Sequence, residues 1–140
     1  MGKKFLNMLP FLRNMTHKPA FTFTARLRSF RYAFRGLRTM LFSQHNAWVH
    51  AIATILVVIA GGICHLSASE WCAIVVMVAA VWTAEALNTA FEFLCDVASP
   101  QFHPLVEKAK DVAAGAVLLS AIGAVVVGVL IFWPRLVALW

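Results

Sequence analysis

The sequence predicts an all-α membrane protein with three transmembrane helices and an amphipathic interfacial helix before them. Of its 140 residues, 61% are hydrophobic and only 13% are charged. This composition is too apolar for an ordinary water-soluble domain. Three long stretches contain no Asp, Glu, Lys or Arg, namely 47–69, 71–84 and 112–133.

The N-terminal part of the chain is basic and aromatic. Residues 1–22 also contain two prolines and predict a loosely ordered extension at the membrane interface. In 24–43, apolar residues recur at three- and four-residue steps beside a stripe of arginines, which predicts an amphipathic helix on the cytoplasmic membrane surface. This helix is either a plain anchor or the entrance to a site. The membrane domain is predicted to occupy 23–140.

The three spanning helices are predicted near 46–66, 70–97 and 107–133. A helix needs roughly 20 residues to cross a hydrocarbon core about 30 Å thick, so the first and third charge-free stretches are each long enough. The second stretch is too short alone. It spans only if its helix continues to about Phe91, which places Glu85 at membrane depth.

The distribution of basic residues predicts the topology. Nine of the 12 Lys and Arg residues precede residue 39, and the others lie at 108, 110 and 135. Because short basic segments remain cytoplasmic, the N-terminus and the 98–106 loop are predicted to be inside. The formal net charge of +6 then follows from topology and from attraction to anionic lipid headgroups, and nucleic acid is not an expected partner.

A polar stripe is predicted along the second spanning helix. It consists of Glu85, Asn88, Glu92 and Asp96, which fall within an arc of about 80° on an ideal helix. An ionised carboxylate facing hydrocarbon would cost about 3 kcal/mol or more, so the stripe is expected to face a protein interior or a wet cleft. At 1.5 Å per residue, Glu85 lies about 10 Å deeper than Glu92, which suits a lipid hydroxyl.

A second charged group precedes the third spanning helix, where Glu107, Lys110 and Asp111 share one face. Carboxylates gathered this closely would repel one another unless a cation bridges them, which indicates a divalent metal. Oxygen ligands favour Mg²⁺, which proteins commonly share with substrate phosphates. A lysine beside such a metal is what a nucleotide polyphosphate requires.

Taken together, the two charged motifs resemble those of the bacterial diacylglycerol kinase and undecaprenol kinase family. The resemblance rests on EALNTAFEFLCD at 85–96 and SPQFHPLVEKAKDVAAGAVL at 99–118, and it covers roughly three quarters of the chain. It implies a homotrimer in the bacterial cytoplasmic membrane, with each site at a subunit boundary. It also implies a phosphotransferase that uses ATP and Mg²⁺ to phosphorylate diacylglycerol or undecaprenol at the cytoplasmic interface.

The resemblance further implies a role for each matching residue. Glu85 matches the general base that takes the proton from the lipid hydroxyl, and Asn88 matches its polar neighbour. Glu92 matches a metal ligand. The nucleotide-binding positions, which include the lysine on the ATP phosphates, are matched by Lys110, Asp111 and Asp96.

One position departs from the family pattern. Where many relatives have a glutamate as the second metal ligand, this chain has Gln44. An amide oxygen can coordinate Mg²⁺ but brings no negative charge, so metal binding is either weaker or supported by another acid or a nucleotide phosphate. The neighbouring Asn46 and His50 are either hydrogen-bonded interfacial residues or part of the site.

Two other functions are compatible with part of this pattern. In a small transport subunit, Glu85 and Glu92 would carry protons or cations, but Lys110 and Asp111 would then have little purpose. In a catalytically inactive membrane scaffold, Gln44 would mark a lost metal site. The glycine-rich phosphate loop and the protein-kinase motifs are both missing from the sequence, which excludes only kinases of the soluble type.

Overall fold

The computed structural model describes residues 22–138, and within them the chain forms four α-helices and no strands. The helices are α1 (Phe23–Ser43), α2 (His45–Ile63), α3 (Ala68–Ala98) and α4 (Pro104–Val137). The predicted all-α class is therefore confirmed. The predicted extension at 1–22 lies outside the described residues except for Thr22. The described chain divides into two compact units, one ending at Arg35 and the other beginning at Gly36.

The first unit contains most of α1. Its large apolar side chains, such as Phe30 and Phe34, are exposed, as expected for a helix whose apolar face has lipid as its neighbour. The Arg35 guanidinium lies 5.8 Å from the centre of the Tyr32 ring, a cation–π distance.

Helices α2, α3 and α4 are each long and apolar enough to cross a membrane. They contain 19, 31 and 34 residues, so α3 and α4 exceed the roughly 20 residues that a bilayer requires. The last helix begins at Pro104, earlier than the predicted 107, because proline suits the first turn and the His103 ring accepts a hydrogen bond from the Leu105 N–H at 3.2 Å. It also continues past Pro134 to Val137.

Helix α3 begins with a capping box, at the end of the domain opposite to the loop between α3 and α4. The Ser67 hydroxyl accepts from the Glu70 N–H, and the Glu70 carboxylate accepts from the Ser67 N–H at 2.8 Å. Arg135 also donates to Glu70 at 2.8 Å. This contact joins the start of α3 to the end of α4, and the two helices run antiparallel.

Within the second unit, α3 packs along α4, and α2 packs against α3. A small cluster of buried side chains near the capping box, formed by Leu66, Ile74 and Ile131, closes this end. Most other large apolar side chains on these helices are exposed. In a bilayer such side chains contact lipid, and the interior consists of a few apolar side chains and the buried part of the polar stripe.

Candidate functional site

The polar stripe of α3 changes from buried to exposed along its length. Glu85 is 1% exposed and Asn88 is 5% exposed. One turn further on, Glu92 is half-buried, and Asp96 is exposed. The polar side chains of α3 thus pass from the protein interior to its surface within about three helical turns.

The Glu85 carboxylate lies against α2. Its Oε2 is 3.9 Å from Nε2 of His50, and neither carboxylate oxygen has a hydrogen-bond partner among the described residues. Thr89 donates to the backbone carbonyl of Glu85 at 2.9 Å, so its hydroxyl does not serve the carboxylate. A buried carboxylate without donors is costly for a protein to keep and is typical of a functional position.

Glu92 is held between two amides. Gln44 occupies the N-cap position of α2 in an extended conformation, but its side chain does not cap that helix. Instead its Nε2 donates to Oε2 of Glu92 at 2.5 Å, and Nδ2 of Asn88 donates to Oε1 at 3.3 Å. The predicted metal ligand Glu92 and the divergent residue Gln44 are therefore in direct contact, although 48 positions separate them.

The charged residues around the α3–α4 loop surround a cavity of about 420 Å³, here called the loop cavity. Nζ of Lys110 donates to Oδ1 of Asp96 at 2.8 Å. Glu107 and Asp111 also line this cavity, with His103 beside them. One lysine and three carboxylates therefore line this cavity, at the end of the membrane domain that contains the α3–α4 loop.

A second opening runs between α3 and α4. This α3/α4 groove has a volume of about 940 Å³ and is lined mainly by apolar side chains from Val76 to Phe91 on α3 and from Leu105 to Ala116 on α4. Its polar lining residues include Asn88 and Lys108. Asn88 also lines a cavity of about 220 Å³ between α2 and α4, here called the α2/α4 cavity, together with His50.

Comparison with known proteins identifies these motifs. The family model for prokaryotic diacylglycerol kinase matches residues 31–132, a range that includes α2, α3 and all the site residues above. The chain belongs to this family. The predicted family and enzyme class, a phosphotransferase acting as a lipid kinase, are confirmed.

Individual relatives of this kinase support the same conclusion. It is 38% identical to the undecaprenol kinase of Bacillus subtilis over 109 residues, covering 78% of this chain and 89% of that protein. It is 40% identical to a diacylglycerol kinase of Synechocystis over 114 residues, covering 81% of this chain and 65% of that protein. Identity to the diacylglycerol kinase of Escherichia coli is 27% over 113 residues.

Within one chain of this kinase, the predicted site residues form two clusters. Glu85, Asn88, Glu92 and Gln44 lie along the contact of α2 with α3, whereas Asp96, Lys110 and Asp111 line the loop cavity. The side chain of Lys110 contacts Asp96. Neither Glu85 nor Glu92 is among the residues that line the loop cavity. Their assignments as base, metal ligand and nucleotide contacts stay predictions.

The residues around Glu92 suit the divalent metal that a lipid kinase implies. A half-rotation of the Gln44 amide would present its oxygen to Glu92, placing two oxygen ligands where the hydrogen bond now lies. Among residues 22–138, no three His, Cys, Asp or Glu side chains converge as a prebuilt metal cage. Mg²⁺ does not need one, since it is commonly held by one or two carboxylates and by substrate phosphates.

Three further polar residues lie near the predicted site residues but were not predicted as part of the site, namely Lys108, Trp82 and Thr54. Lys108 lines the α3/α4 groove, and its three- and four-residue spacing from Leu105 and Val112 could have identified it as part of that face. Trp82 donates to Thr54 at 3.1 Å and joins α3 to α2. No local pattern identifies such a pair, because its members come from different helices.

Proposed function

We propose that this protein transfers the γ-phosphate of ATP to the hydroxyl of a membrane lipid alcohol, of the diacylglycerol or undecaprenol type, at the cytoplasmic interface. The observation that carries the proposal is the buried Glu85 carboxylate, which has no hydrogen-bond donor among the described residues and is followed along α3 by Glu92 and Asp96. A carboxylate kept without donors at membrane depth is suited to accept a proton.

In the proposed reaction, Glu85 removes the proton from the lipid hydroxyl. The alcohol oxygen then forms a bond to the γ-phosphorus, while the bond from that phosphorus to the bridging oxygen of ADP breaks. ADP leaves with the electron pair, and the proton on Glu85 is later lost to water. Phosphoryl transfer depends chiefly on positioning and charge neutralisation, so a few polar side chains suffice.

Lys110 is proposed to bind the ATP phosphates at the loop cavity. Its ion pair with Asp96 is partly exposed, with side-chain exposures of 38% and 66%. Exposed ion pairs contribute little to stability, so phosphate oxygens can displace the Asp96 carboxylate from the lysine. Asp96 and Asp111 would then hold the nucleotide side of the site in position, together with the polar loop backbone.

Glu92 and Gln44 are proposed to hold Mg²⁺ together with the nucleotide phosphates. When bound, this ion neutralises charge on the transferring phosphoryl group. The protein's own contribution is to keep Glu92 half-buried between α2 and α3, where the Gln44 and Asn88 amides orient its two oxygens.

The lipid substrate is proposed to enter from the bilayer along the α3/α4 groove. The groove follows α3 from Val76 to Phe91, which is about 22 Å at 1.5 Å per residue. Its lining is largely alanine and other apolar side chains. Such a surface accommodates an acyl or polyprenyl chain, while the hydroxyl at its end approaches Glu85 past Asn88.

We further propose a homotrimer whose N-terminus and α3–α4 loop are cytoplasmic. The basic N-terminal segment and the lysines of α4 favour that orientation. In a site shared between protomers, Glu85 of one chain would act on a nucleotide held at the loop cavity of another.

The proposal is tested by reconstituting the purified protein with γ-labelled ATP and Mg²⁺ in bilayers containing diacylglycerol or undecaprenol. We expect label in one of the two lipids. Transfer to neither lipid from folded protein would contradict the kinase function and favour the transport or scaffold alternatives. Proton or cation flux through the same vesicles would identify the transport alternative directly.

The variant Glu85→Gln is expected to lower the rate of transfer by about 100-fold or more, because the amide cannot accept the proton. Helix content and elution volume in detergent should match those of the wild type. Wild-type turnover by this variant would remove Glu85 from the role of base.

A further inference from the structure

His50 on α2 faces the buried carboxylate of Glu85. We propose that His50 is a positioning residue that orients this carboxylate toward the lipid hydroxyl, an inference that rests on the proposed kinase function. It assigns a purpose to a histidine that the sequence alone left open between an interfacial role and a role in the site.

The geometry around Glu85 leaves a place for one donor. Both carboxylate oxygens lack hydrogen-bond partners among the described residues, and Nε2 of His50 lies 3.9 Å from Oε2. That separation exceeds a hydrogen bond, so the proposed contact requires the ring to move toward Oε2. A donor on one oxygen leaves the other oxygen free to accept the substrate proton.

The position of His50 is fixed by a hydrogen-bonded connection between helices. The Trp82 indole N–H on α3 donates to the Thr54 hydroxyl on α2 at 3.1 Å, and that hydroxyl donates to the His50 carbonyl at 2.7 Å. The connection sets the register of α2 against α3 one turn from the imidazole. The approach of His50 to Glu85 therefore follows from specific contacts as well as from apolar packing.

The chemistry of imidazole suits this role. A ring N–H can donate to a carboxylate whether the histidine is neutral or protonated. Side chains in an apolar membrane interior offer few such donors, since backbone N–H groups are used within the helices. His50 also lines the α2/α4 cavity together with Asn88, the residue past which the substrate hydroxyl is proposed to approach.

The decisive variant is His50→Leu, which removes the donor but keeps an apolar side chain of moderate size. Displacing a reacting group by about 1 Å can cost on the order of 100-fold, so we expect kcat for lipid phosphorylation to fall between about 10- and 100-fold. The KM for ATP should stay within about twofold of the wild-type value, because the proposed ATP contacts lie at the loop cavity.

Two companion variants separate positioning from packing. His50→Gln supplies an amide donor and should recover part of the lost kcat, which a purely structural histidine would not predict. His45→Leu removes an exposed histidine from the first turn of the same helix and should leave kcat unchanged. Thermal unfolding in detergent should give similar midpoints for all three variants.

The outcomes distinguish this inference from the kinase proposal itself. If the wild-type protein phosphorylates neither lipid, the kinase proposal fails and the role of His50 fails with it. If the wild type is active and His50→Leu retains wild-type kcat, only the positioning role is wrong. A loss in His50→Leu that appears as lower thermal stability, without recovery in His50→Gln, would assign His50 to packing.

Discussion

Gln44 determines the charge beside Glu92 at the proposed metal site. It reaches Glu92 from the N-cap of α2 and contacts it at 2.5 Å, so an acid at this position would meet Glu92 at a similar distance. Two carboxylates so close repel one another until a cation bridges them. The amide avoids that repulsion, but it brings one negative charge fewer to the proposed metal site.

The variant Gln44→Glu tests this interpretation. We expect the Mg²⁺ concentration for half-maximal activity to fall by about 10-fold, because a second carboxylate adds charge to the proposed metal site. The matched variant Gln44→Asn keeps the amide and shortens its reach, so it should require more Mg²⁺ than the wild type. A metal titration that is the same for all three proteins would show that position 44 does not bind the ion.

The two lysines of α4 offer a comparison between the two openings. Lys110 lines the loop cavity and Lys108 lines the α3/α4 groove. Lys110→Met should raise the KM for ATP by about 10-fold or more, since a charge-assisted contact to phosphate is lost. Lys108→Met should change the KM for ATP by less than about twofold. Equal effects of both variants on the KM for ATP would contradict the assignment of the nucleotide to the loop cavity.

Among the helices, the contact of α2 with the start of α3 depends on a glycine. A Cβ atom added at Gly61 would lie 2.7 Å from the Trp71 ring and 3.0 Å from the Leu66 side chain. Ordinary carbon contacts are longer than this, so either the ring or the helix would have to move. The neighbouring Gly62 has nothing within 4 Å of its Cβ position.

These adjacent glycines provide a matched pair of variants. Gly61→Ala is expected to destabilise the folded protein by about 1 to 3 kcal/mol through overpacking against Trp71. Gly62→Ala should be neutral or stabilising by up to about 1 kcal/mol, because alanine is the better helix former. Thermal unfolding in one detergent measures both. A similar change for both variants would mean that the close approach of Trp71 is not important for stability.

For the chain as a whole, the proposed homotrimer allows a site that is completed by a second protomer. Lys110 lines the loop cavity, whereas Glu85 is buried against α2 and lines none of the cavities described above. If each site takes its base and its lysine from different protomers, two inactive variants can complement each other. Mixed oligomers of Glu85→Gln and Lys110→Met should then recover part of the wild-type activity.

The measurement is lipid phosphorylation after the two variants are mixed in detergent, allowed to exchange subunits and reconstituted together. Each variant treated alone is the control and should remain inactive. Mixed samples with confirmed subunit exchange and no recovered activity would mean that one chain supplies both residues.

The sequence was sufficient for the helices and for the face on which the polar residues lie. Charge-free length predicted three spanning helices, and the 3.6-residue period placed Glu85 and Asn88 on one side of α3, where both are buried. These features are local, because hydropathy and helical geometry depend on residues close together in the chain. The N-terminal bounds of α4 differed by three residues because His103 and Pro104 start the helix before its apolar part.

The pairing of side chains between helices required the three-dimensional fold. Glu92 with Gln44, Glu85 with His50, and Trp82 with Thr54 each join residues from different helices. Helical periodicity gives the face of each helix but not the rotation and register at which two faces meet. Those are set by interhelical packing and hydrogen bonds, which depend on residues distant in the sequence. The polar stripe could therefore be found from the sequence, whereas the partners of its members could not.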